Sequence, residues 1–370
     1  MKLVIDASNI VVESGGFIHL KKILENFDNK EIKSLCVFAS KETINRLKIS
    51  NKKIKFLTHS FLNEGRFHLI LWRLFILNRY LKKINCSILF ILGGYFFIKK
   101  YPTIIIIQNL LPLMKNPTYY ERYRTKIKNF ILNNLYKYSI SRAEGVILLS
   151  KYSKNIFRKY GTPKIVIPHG VEDQFYHKRN LTYKKKSKFK ILYVAKIETY
   201  KNHLNIVKGF SKILEDGINA NLTLVGGKDL YFYKSPLYEI TRRINKKFPN
   251  SIFVKKLEKH KNIYKLYRKF DLHVYGSMCE SFGIIILETI ASSLPIVSND
   301  FPVFREILGK NTLYFNGQDP RSISKAIKKY IINPKLKIDN TKKLYQVSKK
   351  YNWQNTSKKT FNFIIENYKK

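Results

Sequence analysis

The stretch Tyr275-Gly-Ser-Met-Cys-Glu280-Ser-Phe-Gly283-Ile-Ile-Ile-Leu-Glu288 sets two carboxylates eight positions apart around a Phe-Gly turn. Just before it, Asp271 followed by Leu272, His273 and Val274 reads as a short strand, and Ile284 to Ser292 reads as a buried helix. The polar turn between them therefore falls at the carboxyl end of a strand. Open α/β sheets bind ligands at such ends, with the amides of the following helix available to an anion. Glu280 is expected at the mouth of the crevice, and Glu288 about one turn into the helix. Two hydroxyl acceptors so placed suit the two ends of an extended polar ligand, although a helix face with two solvated glutamates has the same spacing.

Working outward from this stretch, strand and helix patterns alternate through the chain. Met1-Lys-Leu-Val-Ile-Asp6 opens as a strand, and Glu13-Ser-Gly15-Gly16-Phe-Ile-His19-Leu20 is a glycine turn entering an apolar-periodic helix. Tyr101 to Ile107 is a buried strand that ends in the polar pair Gln108-Asn109. Ala143 to Ser153 reads as a strand and a helix start, followed by Val166-Ile-Pro168-His169-Gly170-Val171. From Glu172 to Lys190 periodicity fades into a lysine-rich run, which suits a solvated linker because like charges repel. A second opening strand, Ile191-Leu-Tyr-Val-Ala195, leads to Lys196-Ile-Glu-Thr-Tyr-Lys201-Asn202. Leu222 to Gly227 is another strand with a glycine turn, and Trp353 to Tyr368 an amphipathic helix of about four turns. With 370 residues, 45% of them hydrophobic, the chain can bury two cores, and strand-helix alternation predicts parallel sheets.

Charge is the second strong feature. The chain has 70 Lys plus Arg against 25 Asp plus Glu, a formal +45. Such self-repulsion favours an anionic partner. Nucleic acid is one candidate, yet no recognition motif of the common nucleic-acid folds is present, so no nucleic-acid partner is expected. An anionic membrane surface fits better. The segment Arg66 to Lys83 adds Trp72 and Tyr80 to basic residues; it is too short and too charged to span a bilayer, and suits either an interfacial helix or a core helix of the first domain. The N-terminus starts directly as a strand, so no signal peptide is expected. Cys36, Cys86 and Cys279 show no pairing pattern and are expected to be reduced, cytosolic thiols. There is no metal-ligand cluster and no Asp-x-Asp triplet.

These segments resemble, in order, the retaining glycosyltransferases of family 4, which have the GT-B architecture: two Rossmann-like domains with parallel sheets facing across a cleft and a C-terminal helix crossing back to the first. The glutamate-x7-glutamate signature matches Glu280 and Glu288, and Pro295 to Ser298 is similar to the family's next strand. Lys196 and Lys201 are similar to the two basic residues of its diphosphate clamp, with Lys196 where arginine is usual and Ala195 where glycine is usual. His169 stands where the family has Asn. Gln108-Asn109 resembles the version of bacterial surface-polysaccharide transferases; neither amide can serve as a general base, but each can bind a sugar hydroxyl.

The resemblance implies domains at 1–180 and 181–350, with 351–370 as the returning helix. It implies transfer of a sugar, with retention and without a metal, from a UDP- or GDP-linked donor. The acceptor is a glycan or polyprenyl-diphosphate-linked oligosaccharide of lipopolysaccharide, O-antigen or capsule, at the inner face of the cytoplasmic membrane. Lys196 and Lys201 would stabilise the departing diphosphate, because positioned cations act on charge that develops as the bond breaks. Glu280 would orient the hexose with the Ser281, Phe282 and Gly283 backbone, and Glu288 would bind the ribose. Gly226 would hold the base, Gly15 and Gly16 would approach the phosphates, and Gln108 and Asn109 would face the acceptor. A nucleotide-sugar epimerase of the same architecture and a basic nucleic-acid-binding protein are the alternatives.

Overall fold

The structure, a computed structural model, describes residues 1–97, 99–114, 123–180, 187–227, 230–256 and 260–369. They form two compact units. One comprises Met1–Leu113, the chain leading up to Gly170, and the tail from Asn352; the other runs Val171–Tyr351.

The first unit is built on a seven-stranded sheet, all of it parallel. Its strands are β1 (Lys2–Asp6), β2 (Ser34–Phe38), β3 (Ile54–Leu57), β4 (Ile88–Ile91), β5 (Thr103–Ile107), β6 (Gly145–Leu148) and β7 (Lys164–Val166), in the order β3-β2-β1-β4-β5-β6-β7. The central strands are apolar on both faces because helices cover both: every residue of β4, β5 and β6 is buried. The opening helix Gly15–Glu25 starts at Ser14, whose side chain accepts from the Phe17 amide, and it buries Phe17, His19, Leu20, Ile23 and Leu24. The tail helix Trp353–Tyr368 packs against this helix and β6. Phe361 meets Phe27 edge-on at 4.8 Å, and Ser357 Oγ donates to the Ile23 carbonyl at 2.8 Å.

The 66–83 segment is not one continuous α-helix. It runs as Arg66–Leu71, a π turn at Trp72–Ile76, and Leu77–Lys83. The wider turn carries two consecutive residues inward, so Trp72 and Arg73 are both buried. Trp72 packs on Phe38, His59 and Tyr80 in the first core, as the core-helix alternative has it. Arg73 Nε donates to Asp6 Oδ2 at 2.9 Å, at the carboxyl end of β1. Phe67 and Phe75 of the same segment remain exposed.

The second unit has a six-stranded parallel sheet of β8 (Phe189–Val194), β9 (Ala220–Val225), β10 (Ile252–Lys255), β11 (Leu272–Tyr275), β12 (Ile296–Asn299) and β13 (Leu313–Phe315), in the order β10-β9-β8-β11-β12-β13. Strand order reverses between β8 and β11. Open α/β sheets bind ligands at the carboxyl ends of the strands at such a switch point. The chain enters this unit at Val171, earlier than the expected 180/181 boundary. The reason is local: Phe175 is buried against Tyr267 and His260, and the Phe175 carbonyl accepts from Ser292 Oγ. Residues 181–186 of the expected linker lie outside the described residues, and its last two residues, Phe189 and Lys190, already belong to β8.

Candidate functional site

The loops after β8 and β11 carry the clustered polar side chains of the second unit. After β8 the chain makes a short 3₁₀ turn, Thr199–Lys201, and then Asn202 adopts a left-handed conformation (φ +62°) before the helix His203–Glu215. Asparagine tolerates that region, and its side chain repays the strain by donating to the Gly317 carbonyl at 2.7 Å and accepting from Asn205. The turn is also held from below, where Tyr193 Oη donates to the Lys201 carbonyl. The Met278 amide, from the loop after β11, donates to the Tyr200 carbonyl at 2.8 Å and ties the two loops together.

That tie brings Lys201 onto Glu280. Lys201 Nζ donates to Glu280 Oε1, and Tyr275 Oη donates to the same oxygen at 2.6 Å. The lysine and glutamate side chains are 13% and 16% exposed, so the pair is largely buried but still reached by solvent. Among the described residues, both contacts of Glu280 fall on Oε1, which leaves Oε2 available as an acceptor. Burial, and then the Glu280 charge, push the Tyr275 hydroxyl far above its usual range, so it stays protonated and serves as a donor. Lys201 also lies 4.8 Å from the centre of the Tyr200 ring.

Glu288 sits in the fifth position of the helix Ile284–Ala291 and is buried, with its side chain 3% exposed. Oε1 meets His260 Nε2 at 2.6 Å, and Oε2 accepts from Tyr267 Oη at 3.2 Å. Desolvation and then the neighbouring Glu288 charge raise the Tyr267 hydroxyl well above its ordinary value. His260 Nδ1 in turn lies 3.3 Å from Glu172 Oε1.

The remaining residues named from the sequence are distributed as follows. Lys196 is exposed just beyond β8, with no ion pair among the described residues. Ser281 and Phe282 are buried, with the Phe282 ring 5.8 Å from Tyr351. Gly283 starts the Glu288 helix at φ +104°, a region that disfavours any side chain. Gly226 follows β9 so closely against the neighbouring loop that an added Cβ would lie 1.5 Å from the Ala195 carbonyl oxygen. In the first unit, Gly15 is exposed at the start of the opening helix. Gly16 lies beside Gln108, whose Oε1 is 3.0 Å from where a Gly16 Cβ would stand. Asn109 Oδ1 accepts from the Leu111 amide at 2.9 Å and so caps the turn after β5.

Four functional candidates escaped sequence reasoning. Tyr275 opens the glutamate-bearing stretch, where the sequence assigns it no role. Glu172 opens the expected linker, and His260 falls in no segment singled out in the sequence. His169, quoted as a replacement, proves to be half of a buried pair: its Nδ1 lies 3.2 Å from His19 Nδ1, with Trp353 packed on both rings. Burial lowers His19 to about 3 and holds His169 well below the ordinary histidine value, so the pair is neutral and shares one proton between the two Nδ1 atoms. The spacing of His260 and Tyr267, seven apart on one helical face, was the one available signal.

Residues 175–349 match the sequence family described as Glycosyl transferases group 1. The second unit is a glycosyl transferases group 1 domain. Curated relatives of the chain include the serotype-specific mannosyltransferase WbdA of Escherichia coli, 28% identical over 141 residues, 37% of this chain and 17% of WbdA. The O-antigen chain mannosyltransferase RfbU of Salmonella typhimurium is 44% identical over 63 residues, 17% of this chain and 18% of RfbU. The matches thus span less than a fifth of either relative. Among solved structures, the sucrose-phosphate synthase of Thermosynechococcus elongatus superposes with a TM-score of 0.78 at 15% identity, covering 99% of both chains. HepE from Anabaena, solved with UDP and glucose, superposes at 0.72 and 13% identity, covering 98% of this chain and 99% of HepE. The two parallel sheets of seven and six strands and these neighbours make the fold GT-B. The group 1 domain includes Lys201, Glu280 and Glu288 within its matched range.

Proposed function

We propose that the protein is a retaining glycosyltransferase of the family 4 type. It moves a sugar from a nucleoside-diphosphate donor, UDP- or GDP-linked, to a glycan or lipid-linked oligosaccharide of a bacterial envelope. The observation that carries the reading is the one-sided Glu280: Lys201 and Tyr275 occupy one carboxylate oxygen, and the other is open to a hydroxyl. Support also comes from the group 1 match and from relatives named as O-antigen and serotype-specific mannosyltransferases.

In this reading Lys201, an ammonium with three donors, gives one to Glu280 and keeps two for the donor diphosphate. Its charge stabilises the leaving group more strongly in the transition state than in the bound donor, which is what lowers the barrier. Lys196 adds a second, exposed cation. Glu280 Oε2 holds a hexose hydroxyl, with Ser281, Phe282 and Gly283 shaping the turn beneath it. Glu288 binds the ribose, since each of its oxygens keeps a lone pair after His260 and Tyr267 are served. Gly226 gives the base a close backbone approach, Gly15 and Gly16 approach the phosphates, and Gln108 and Asn109 belong to the acceptor side. No divalent metal takes part, so a chelator should leave the rate unchanged.

The reading places the enzyme at an anionic membrane surface, on the inner face of the cytoplasmic membrane. A formal +45 and the exposed Phe67 and Phe75 support that partner. Among the described residues no helix is long and apolar enough to cross a membrane.

The test is a panel of UDP-, GDP- and ADP-sugars scored by thermal shift, because a ligand of the folded state raises apparent stability. The best binder is then supplied with a lipid-linked acceptor and the product's anomeric configuration is read by NMR. One nucleotide class should stabilise the protein and the product should keep the donor's configuration. Inversion would sink the retaining mechanism, and a free epimerised donor formed without acceptor would favour the epimerase.

A further inference from the structure

We propose that His260 is a positioning residue for nucleotide recognition, acting through Glu288; the inference rests on the reading of Glu288 as the ribose acceptor. Glu288 is a buried carboxylate on the helix Ile284–Ala291, and a buried carboxylate is held in place only by the donors that reach it. Both described donors come from one face of the helix His260–Tyr267: His260 Nε2 to Oε1 at 2.6 Å and Tyr267 Oη to Oε2 at 3.2 Å. The two oxygens are therefore fixed from one side, and the lone pairs that remain have a defined direction.

Tyr267 lies in the core, fully buried, and its hydroxyl follows from packing. His260 is different, because its own orientation is fixed by a further carboxylate. Nδ1 faces Glu172 Oε1 at 3.3 Å while Nε2 faces Glu288, and the ring lies 5.4 Å from Phe175. The imidazole thus has one ring nitrogen facing each carboxyl group, and the short contact on Nε2 is the one that holds Glu288. Glu172 and Phe175 belong to the first segment of the unit, which is how residues far from the glutamate signature come to set its geometry. The chain of support runs from Glu172 to His260 to Glu288 and on to the vicinal hydroxyls of a ribose.

The test compares UDP and GDP with their 2′,3′-dideoxy counterparts, by calorimetry on the full chain. Wild type should bind the hydroxylated form of one diphosphate roughly tenfold to a hundredfold more tightly than its dideoxy form, the range for hydrogen bonds to a charged acceptor. Glu288→Gln and His260→Ala should each reduce that ratio to about threefold or less, whereas His260→Gln, which keeps one donor towards Glu288, should retain an intermediate ratio. Circular dichroism checks that the variants are folded, and His260→Gln carries the test should His260→Ala fail to fold. Equal weakening of both ligands in the His260 variants, with the ratio unchanged, would mean a merely structural histidine and would overturn this inference alone. No diphosphate binding by wild type, or no preference for the hydroxylated form, would overturn the reading of Glu288 and this inference with it.

Discussion

At the residue scale, the candidate site depends on backbone placed too tightly for side chains and on carboxylates held from one side. Gly226 is the sharpest case. A methyl group there would stand 1.5 Å from the Ala195 carbonyl oxygen, so the loop after β9 cannot lie beside the end of β8 with any other residue. Gly226→Ala should cost about 3 kcal/mol, the upper end for forced overpacking, read as a lower urea midpoint; a midpoint within error of wild type would contradict the geometry. Glu280 and Lys201 were legible in the sequence because each follows an apolar strand by a short polar turn, and the parallel pairing of β8 with β11 puts both turns at one edge. Tyr275 and His260 were not legible. Tyr275 reads as part of an apolar strand although it bonds a carboxylate five residues on, and His260, marked only by its spacing to Tyr267, works on a glutamate of another helix.

At the scale of elements, the strands and the amphipathic tail could be read from periodicity, since burial on both faces of a parallel sheet writes continuous apolar runs. The π turn at Trp72–Ile76 could not, because one inserted residue changes the facing of the helix without changing its composition. The tail helix makes a direct prediction. Phe361 is 2% exposed and fills the space beside Phe27, so Phe361→Ala should leave a cavity and cost about 3–5 kcal/mol in the unit that holds both. Hydrogen exchange would report it as lost protection in the helices Gly15–Glu25 and Trp353–Tyr368. Unchanged protection would mean that the tail helix is not part of that core.

At the scale of the whole molecule, the two sheets were legible as two rounds of strand-helix alternation, while the point of passage was not, because Phe175 lies in a polar stretch without periodicity. Both units bury neutral histidines. Burial lowers His19, His203 and His273 to about 3, against an ordinary 6.5. The unfolded chain therefore takes up protons below about pH 6.5 that the native state refuses, so stability is full above that pH and is lost as pH falls towards 3. Between pH 7 and pH 5 each such histidine should remove about 2 kcal/mol, seen as a falling urea midpoint; a flat midpoint over that window would contradict the neutral assignment. The central claim is that Lys201, paired with Glu280, meets the diphosphate of an activated sugar. Its most direct test is the dissociation constant of the best-binding nucleotide sugar for wild type and for Lys201→Ala. The account predicts at least about tenfold weaker binding in the variant. Equal binding by the two proteins, or no binding of any nucleotide sugar by wild type, would contradict it.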